Sequence, residues 1–195
     1  TYDSNGVVVK ESYAELLQDA RQLACGLKRL ELREREPIAL QLTETRDHIH
    51  ALWACALSGH PSLTVAVPPQ ITSSNGVAAK LIAAVKMLRV RHVISSEALA
   101  ASLQTLLPSV SVIRMPNLMA VSTSATRANP SDSATTPLAS SPVTLLAGGG
   151  AAAVSMDDVL FYQLTSGSTG VPKVIPETHR AVIAHIRQTA QRCGA

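Results

Sequence analysis

The sequence predicts an α/β fold built on a mostly parallel sheet with helices on both faces. Two observations support this prediction. Apolar, β-prone runs alternate with amphipathic helical runs through residues 1–118, and regular alternation of strands and helices is the pattern of βαβ units. The chain has 195 residues, which is long enough to bury a core of useful size. We therefore expect one sheet whose strands are covered by helices on each side.

The first helix is predicted from Ser12 to about Leu30. Ser12 and Glu15 have the spacing of a capping box, in which the two side chains bond each other's backbone N–H groups. The expected buried face consists of Leu16, Ala20, Leu23, Leu27 and Leu30. A short strand is predicted next, from Pro37 to Leu42.

The middle of the chain continues the alternation of helices and strands. Three further helices are predicted at about Asp47–Leu57, Val77–Leu88 and Glu97–Leu107. The strands between and after them are predicted at Leu63–Val67, Val90–Ile94 and Val110–Met115. In the first of these helices we expect the inward side chains to be Ile49, Leu52, Trp53 and Ala56.

Composition changes abruptly in residues 119–155. This stretch is rich in Ser, Thr, Ala and Pro and ends in three glycines and three alanines at 148–153. Few large apolar side chains are present to offset the entropy of ordering it, so we interpret it as a flexible insert. Val143–Leu146 is the one part that could add a short strand, although the linker interpretation is favoured. The chain thus divides into residues 1–118, 119–155 and 156–195.

The composition of residues 165–173, TSGSTGVPK, is better suited to binding phosphate than to packing in a core. Gly167 and Gly170 allow the backbone to approach a ligand closely, while hydroxyls, backbone N–H groups and the Lys173 ammonium are donors to an anion. A β-prone run at Val159–Leu164 precedes it and Val174–Ile175 follows, so it links two extended segments. The same residue types also occur in ordinary surface turns, and composition alone leaves that alternative open.

Two familiar phosphate or hydrolase motifs do not fit this loop. Gly167 and Lys173 have the Walker spacing, but Pro172 replaces the second glycine and Val174 replaces the hydroxyl that would reach a metal. Ser166 lacks the G-x-S-x-G elbow of a hydrolase nucleophile. A final helix is predicted after the loop, opened by residues 177–178.

The string LTSGSTGVPKVIPETH, Leu164–His179, resembles the phosphate-binding signature of adenylate-forming enzymes, which include acyl-CoA synthetases, luciferases and nonribosomal peptide synthetase adenylation domains. Two upstream stretches resemble earlier blocks of that family. Ser12–Leu17 looks like its opening T-Y-x-E-L helix, and Trp53–Pro61 leading to Val65–Pro69 looks like its second block. The three blocks occur in the family's order and cover nearly the whole chain. The resemblance therefore implies an incomplete N-terminal subdomain of an adenylate-forming enzyme.

The resemblance implies that the parent enzyme uses ATP and Mg²⁺, with the usual carboxylate ligand of the metal lying after residue 195. It assigns the hydroxyls of Thr165, Ser166, Ser168 and Thr169 to the β and γ phosphates of ATP, and close backbone approach to Gly167 and Gly170. Lys173 would supply a point positive charge, and Lys173 and Thr165 are the candidate catalytic residues. His179 either borders the substrate pocket or only makes local hydrogen bonds. Val174 departs from the Gly or Ala common in the family and is stiffer.

Two functions remain open for a chain of this kind. In the first, it is part of a domain that activates a carboxylic acid with ATP to an acyl-adenylate and passes it to a thiol. That thiol would be coenzyme A or phosphopantetheine on a partner carrier domain, with other synthase domains as neighbours. In the second, it is a truncated, inactive adenylation-like module with a structural or docking role in a multidomain synthase. The first residue is Thr rather than Met, which indicates a piece of a longer protein.

Composition argues against several other classes of protein. A formal net charge of +3 with one Trp, one Phe and three Tyr gives neither a basic nucleic-acid surface nor a stacking platform. Cys25, Cys55 and Cys193 are isolated, and we expect each to be a small buried hydrophobe in a reducing compartment. Two histidines at 48 and 50 point to different helix faces, so no metal site is expected there. Without a leader or a long apolar run, the predicted location is cytoplasmic, with no membrane partner.

Overall fold

The computed structural model describes residues 10–30, 32–68, 76–123, 154–165 and 173–194, without the side chains of 121–123. The helices are α1 (Tyr13–Lys28), α2 (Thr45–Ser58), α3 (Gly76–Met87), α4 (Glu97–Leu106), α5 (Met115–Thr123) and α6 (His179–Cys193). The strands are β1 (Ile38–Gln41), β2 (Ser62–Thr64), β3 (His92–Ser95), β4 (Ser111–Arg114), β5 (Val159–Thr165) and β6 (Lys173–Thr178). Among these helices, none has both the length and the apolar character that crossing a bilayer requires.

The six described strands form one sheet in the order β4-β3-β1-β2-β5-β6. Every pairing from β4 to β5 is parallel, and only β6 runs antiparallel to its neighbour. The predicted mostly parallel sheet is therefore confirmed. Because β-strand side chains alternate between faces, Ile38 and Leu40 enter one core cluster with α1, α2 and α5, whereas Ala39 enters a second with α3 and α4. Helices thus cover both faces of the sheet, as predicted.

The predicted start of α1 is also confirmed. Ser12 is the N-cap: its Oγ accepts from the Glu15 N–H at 3.2 Å, and Glu15 Oε2 accepts from the Ser12 N–H at 2.7 Å. These two bonds satisfy backbone donors that no helical turn can reach. Leu23 and Leu27 are fully buried, as the periodicity indicates, but Leu30 lies past the end of the helix and is 38% exposed.

The predicted buried face of α2 is largely wrong. Trp53 is 47% exposed, and Ile49 and Leu52 are only half-buried. The buried residues are His50, Ala51, Ala54, Cys55 and Ala56. The distance between two packed helices depends on the side chains at their contact, and the α2 residues in the cluster shared with α1, namely Ala51, Ala54 and Cys55, are all small. On the α2 side this cluster is therefore built from small residues, and Leu52 packs against it only partly buried.

The expectation that all three cysteines are buried holds for one of them. Cys55 is fully buried in α2, and its burial raises the pKa of the thiol to about 12, so it stays protonated and unreactive. Cys25 and Cys193 are exposed. Their surface positions follow from helix geometry, since Cys25 lies on α1 between the buried residues Ala24 and Gly26 and points away from the core.

Helix α5 was not predicted and crosses residue 119, where the predicted insert begins. Pro116 lies in its first turn, where the missing proline N–H has no helical partner to lose. Met115 and Leu118 are buried in the cluster formed with α1 and α2. Tertiary packing rather than local periodicity therefore stabilises this short helix. Residues 124–153 of the predicted insert, including the Val143–Leu146 strand candidate, lie outside the described residues.

Gly26 on α1 makes a close approach to α5, and a side chain there should be destabilising. A Cβ at Gly26 would lie 2.7 Å from the Leu118 carbonyl oxygen. Replacing a helical glycine by alanine ordinarily stabilises by about 1 kcal/mol, but here the clash should reverse the sign. We expect Gly26→Ala to lower the free energy of unfolding by about 1–3 kcal/mol, measured by urea denaturation. The control is Cys25→Ala at the neighbouring exposed position, whose free energy of unfolding should lie within about 0.5 kcal/mol of wild type. A Gly26→Ala variant as stable as wild type, or more stable, would contradict the α1–α5 packing.

Candidate functional site

The carboxyl ends of the five parallel strands lie at one edge of the sheet, here called the carboxyl edge. Their last residues are Gln41, Thr64, Ser95, Arg114 and Thr165. Open parallel sheets bind their ligands in the crevice outside this edge, because loops and helix N-termini with free backbone N–H groups converge there. The predicted phosphate loop begins directly after Thr165, so the fold places its start at the edge where a ligand is expected.

The structure brings together the two candidate catalytic residues. Thr165 ends β5, Lys173 begins β6, and the two are register partners in the antiparallel pair. Both ends of the predicted loop therefore meet at the carboxyl edge. Thr165 is half-buried and Lys173 is exposed, so the ammonium is available to solvent or to a ligand. The other candidate phosphate-binding residues lie outside the described residues: Ser166, Gly167, Ser168, Thr169 and Gly170.

Strand β5 reaches the rest of the sheet through β2. Leu63 of β2 is the register partner of Tyr162, and Tyr162 and Leu164 pack against the cluster that contains Leu63 and the α3 and α4 side chains. The next residue, Thr165, points to the opposite face because side chains alternate along a strand. Packing on one face of β5 thus positions the residue at which the loop begins.

The turn at residues 155–158, just before β5, is hydrogen-bonded to α6, the helix that follows β6. Asp158 Oδ2 accepts from the Ser155 N–H at 2.7 Å, and Asp158 Oδ1 accepts from Arg35 Nε at 2.8 Å. These bonds, the Ser155 N–H first, hold the pKa of Asp158 below its usual value. Asp157 receives a paired contact from Arg180 on α6, at 2.7 and 3.1 Å. These contacts hold the turn that leads into β5 against Arg35 and α6.

The structure does not bring His179 together with Thr165 and Lys173. His179 is the first residue of α6 and lies at the amino end of the sheet, where its N–H donates to the Asp158 carbonyl at 3.2 Å. Six residue steps separate it from Lys173, roughly 20 Å at the rise of a strand. Burial lowers the pKa of His179, which favours the neutral ring. This local bond is made by the backbone N–H, so the role of the His179 ring stays a prediction.

Two polar residues at the carboxyl edge were missed by the sequence analysis. Gln41 is fully buried, and its Nε2 donates to the Leu40 and Val65 carbonyls at 3.0 and 2.8 Å. Within the described part of the chain, Gln41 Oε1 and Ser96 Oγ are buried without a hydrogen-bond partner. The sequence signal for this site was a glutamine at the end of an apolar strand. Such a residue stands out because buried polar side chains are normally fully hydrogen-bonded.

A second missed cluster lies at the opposite, amino edge of the sheet, around Glu36. This side chain is 5% exposed and accepts from Arg91 Nε at 3.0 Å and from the Arg33 N–H at 3.1 Å, with His92 Nδ1 at 2.8 Å. Burial alone would raise the pKa of Glu36, but the bonds from Arg91, His92 and Arg33 outweigh it and bring the pKa to about 2. Glu36 is thus ionised at neutral pH, and the cluster joins the start of β1 to that of β3.

A third polar cluster links the N-terminal segment to α1 and α2. Glu11, Asp19 and His50 offer ligand atoms that lie within 4.8 Å of one another, which is the kind of grouping that can hold a metal ion. Arg46 already pairs with both carboxylates, at 3.0 Å to Glu11 and 3.1 Å to Asp19. His50 Nε2 is 2.9 Å from Glu11 Oε1. The guanidinium neutralises the carboxylates, so the cluster is best described as an ion-pair network that orients the helices.

Comparison with known proteins decides the family. The sequence profile described as AMP-binding enzyme matches residues 5–195, almost the whole chain. The chain belongs to the AMP-binding enzyme family. This member is 26% identical to enterobactin synthase component E of Escherichia coli (strain K12) over 182 residues, which is 93% of this chain and 32% of that protein. It is also 40% identical to pyochelin synthase PchD of Pseudomonas aeruginosa over 42 residues, 22% of this chain and 8% of that protein.

Solved structures agree with the fold of this family member. A McyG A-PCP structure complexed with phenylalanyl-adenylate matches 98% of this chain and 27% of its own, with a TM-score of 0.76 and 24% identity. The adenylation domain of a keto acid-selecting NRPS module, bound to keto acyl adenylate, matches 96% of this chain and 31% of its own, with a TM-score of 0.71 and 26% identity. The predicted resemblance to the N-terminal part of adenylate-forming enzymes is confirmed. The chain spans about a third of the length of these proteins.

Proposed function

We propose that this chain supplies the phosphate-binding part of an enzyme that activates a carboxylic acid with ATP. The observation that carries the proposal is the meeting of Thr165 and Lys173 as register partners at the carboxyl edge, with the family's loop sequence between them. Membership of the AMP-binding enzyme family supports a nucleotide as the ligand. In the two solved structures described above, the bound ligands are acyl-adenylates.

In the proposed reaction, a carboxylate oxygen of the substrate attacks the α phosphorus of ATP. The bond from that phosphorus to the bridging oxygen breaks, and pyrophosphate leaves with the electron pair. The sulfur of a thiol then attacks the acyl carbonyl, and AMP departs. Negative charge on the leaving pyrophosphate must be met by donors already in place, which is the role proposed for Lys173 and the hydroxyl of Thr165. Ser166, Gly167, Ser168, Thr169 and Gly170 are proposed to complete the cradle with hydroxyl and backbone N–H donors.

Among the described residues of β5 and β6, none beside this pair offers a carboxylate to Mg²⁺. Strand β5 has no carboxylate, and Glu177, the carboxylate of β6, is the register partner of Phe161 rather than of Thr165. Because hard cations need oxygen ligands, usually with carboxylates among them, the two strands cannot hold the ion by themselves. We therefore assign no step to Mg²⁺ and keep it as part of the ATP substrate complex.

The acceptor thiol and the partners belong to the same proposal. A carrier-domain phosphopantetheine is favoured over coenzyme A, because one similar structure is of an A-PCP protein and the chain is similar to a pyochelin synthase and to a component of enterobactin synthase. Neighbouring synthase domains are proposed on the same grounds. The separation of His179 from the loop ends favours a role in closing the β6–α6 junction over contact with the acid.

Calorimetric titration of the chain with Mg-ATP tests the proposal. We expect weak binding, because a third of a domain of this family presents only some of its nucleotide contacts. Lys173→Ala should abolish the signal, since a point charge at the phosphates is lost. Lys80→Ala is the matched control: this exposed lysine lies on α3, and its loss should leave binding unchanged. Unchanged binding by Lys173→Ala would contradict the phosphate role.

The same titration distinguishes this proposal from the alternative, in which the chain is an inactive structural or docking module. Micromolar affinity for Mg-ATP would contradict it, whereas complete absence of binding at high ATP concentration would favour it. In a protein that carries the remainder of the domain, carboxylate-dependent ATP–pyrophosphate exchange is the decisive assay. There we expect Lys173→Ala to reduce exchange by about 10²–10³-fold, the usual cost of removing a preorganised donor.

A further inference from the structure

A groove of about 820 Å³ lies at the amino edge of the sheet, the edge opposite the phosphate loop. Its walls come from the turn before β1, the end of α3 and the end of α4. The floor is apolar, with side chains such as Ile82, Leu88, Leu106 and Val110. None of the lining residues is aromatic and none belongs to the proposed ATP site. The groove therefore needs a separate explanation.

The rim of the groove is basic. Five cationic and two anionic side chains line it. Arg35 pairs with Glu34 and Asp158, and Arg91 pairs with Glu36. No carboxylate of the described residues pairs with the side chains of the other three cations, Arg33, Lys86 and Arg89, and all three are exposed. As far as the described residues go, the rim thus carries positive charge without a paired carboxylate, above an apolar floor.

Two of the rim arginines occupy backbone positions that favour glycine. Arg35 and Arg89 have φ of 54° and 53°, and they are the only non-glycine residues of the described chain with positive φ. Arg89 lies just after the end of α3, and its N–H donates to the Lys86 carbonyl at 3.3 Å, much as the N–H of Gly59, the C-cap of α2, donates to the Ala56 carbonyl at 3.4 Å. At this cap the chain thus has a strained arginine where glycine would fit without strain, and both strained arginines line the same groove.

We propose that this groove is a docking site for an acidic, amphipathic protein segment. Acidic side chains of the partner would pair with Arg33, Lys86 and Arg89, while its apolar side chains cover the floor. A nucleic acid fits the groove less well, because its lining has no aromatic side chain on which a base could stack. The combination of an apolar floor and an unpaired basic rim specifies the partner's chemistry.

A peptide-binding experiment tests the proposal on the whole chain. The probe is a fluorescein-labelled peptide of Glu-Leu-Glu-Ala repeats, and fluorescence anisotropy measures its affinity at low and high salt. We expect saturable binding that weakens as salt screens the charges. Arg89→Gly should weaken it about tenfold, the usual worth of a hydrogen bond to a charged group. This variant also relieves the positive φ, so thermal unfolding should show no loss of stability. Lys86→Gln should weaken binding in the same direction.

Controls make each outcome decisive. Arg187→Gln and Lys80→Gln remove the same charge from exposed positions away from the groove and should leave the affinity unchanged. A peptide with Gln in place of Glu should not bind. The proposal is overturned by absence of saturable binding, by equal effects of Arg89→Gly and Arg187→Gln, or by a single-stranded DNA of matched charge that binds more tightly than the peptide.

Discussion

Glu36→Gln should lower the free energy of unfolding by about 2–3 kcal/mol at neutral pH. The variant keeps the shape of the side chain but removes the charge that Arg91 and His92 contact. A pKa of about 2 in place of the usual 4.5 corresponds to about 3 kcal/mol, and Arg91 is 44% exposed, so solvation of the freed guanidinium recovers part of the loss. Urea denaturation at neutral pH measures the change.

The same carboxylate predicts a pH dependence. Because the pKa of Glu36 is lower in the folded than in the unfolded chain, its contribution is complete above pH 4.5 and is lost as the pH falls toward 2. Stability of the Glu36→Gln variant should therefore fall less steeply over this interval. Glu97→Gln is the matched control: its pair with Arg114 is 63% and 49% exposed, so we expect a change within about 0.5 kcal/mol. Parallel pH curves for wild type and Glu36→Gln would show that the cluster does not stabilise the fold.

Leu63→Ala should cost about 3 kcal/mol and should loosen the loop-bearing hairpin β5–β6 more than the rest of the chain. Leu63 is fully buried on β2, the strand that joins β5 to the sheet, and it is the register partner of Tyr162. Loss of its side chain leaves a cavity beside Tyr162 and Leu164, and large-to-small core changes of this kind cost about 2–5 kcal/mol. Hydrogen exchange should report faster opening of β5 and β6 amides.

Leu103→Ala distinguishes hairpin loosening from general destabilisation. Leu103 is equally buried in the same cluster but lies on α4, away from the β2–β5 pairing. We expect a similar global loss of stability without preferential exchange in β5 and β6. If both variants gave the same exchange pattern, β2 would not be the element that positions the Thr165–Lys173 pair.

Local sequence was sufficient for most elements because their signals are local. The capping box at Ser12 and Glu15 marked the start of α1, and the apolar run at Val159–Leu164 marked β5. The buried face of α2 was missed because Trp53 and Ile49 are more apolar than alanine, whereas the close contact with α1 selects small residues. Periodicity reports which residues are apolar and not how near the facing helix lies.

The candidate functional site shows the same division between what local sequence predicts and what only packing decides. Sequence alone determined the strands on either side of TSGSTGVPK and the resemblance to adenylate-forming enzymes, since these depend on residue order along one short stretch. Only tertiary structure decided that Thr165 meets Lys173 at the carboxyl edge while His179 lies at the opposite end of β6, because strand direction sets which ends come together. It also decided the Glu36 cluster and the basic groove, which assemble residues such as Arg33, Arg89 and Val110 that are far apart in the chain. Local propensity does not predict such long-range contacts, because they form only when the whole sheet packs.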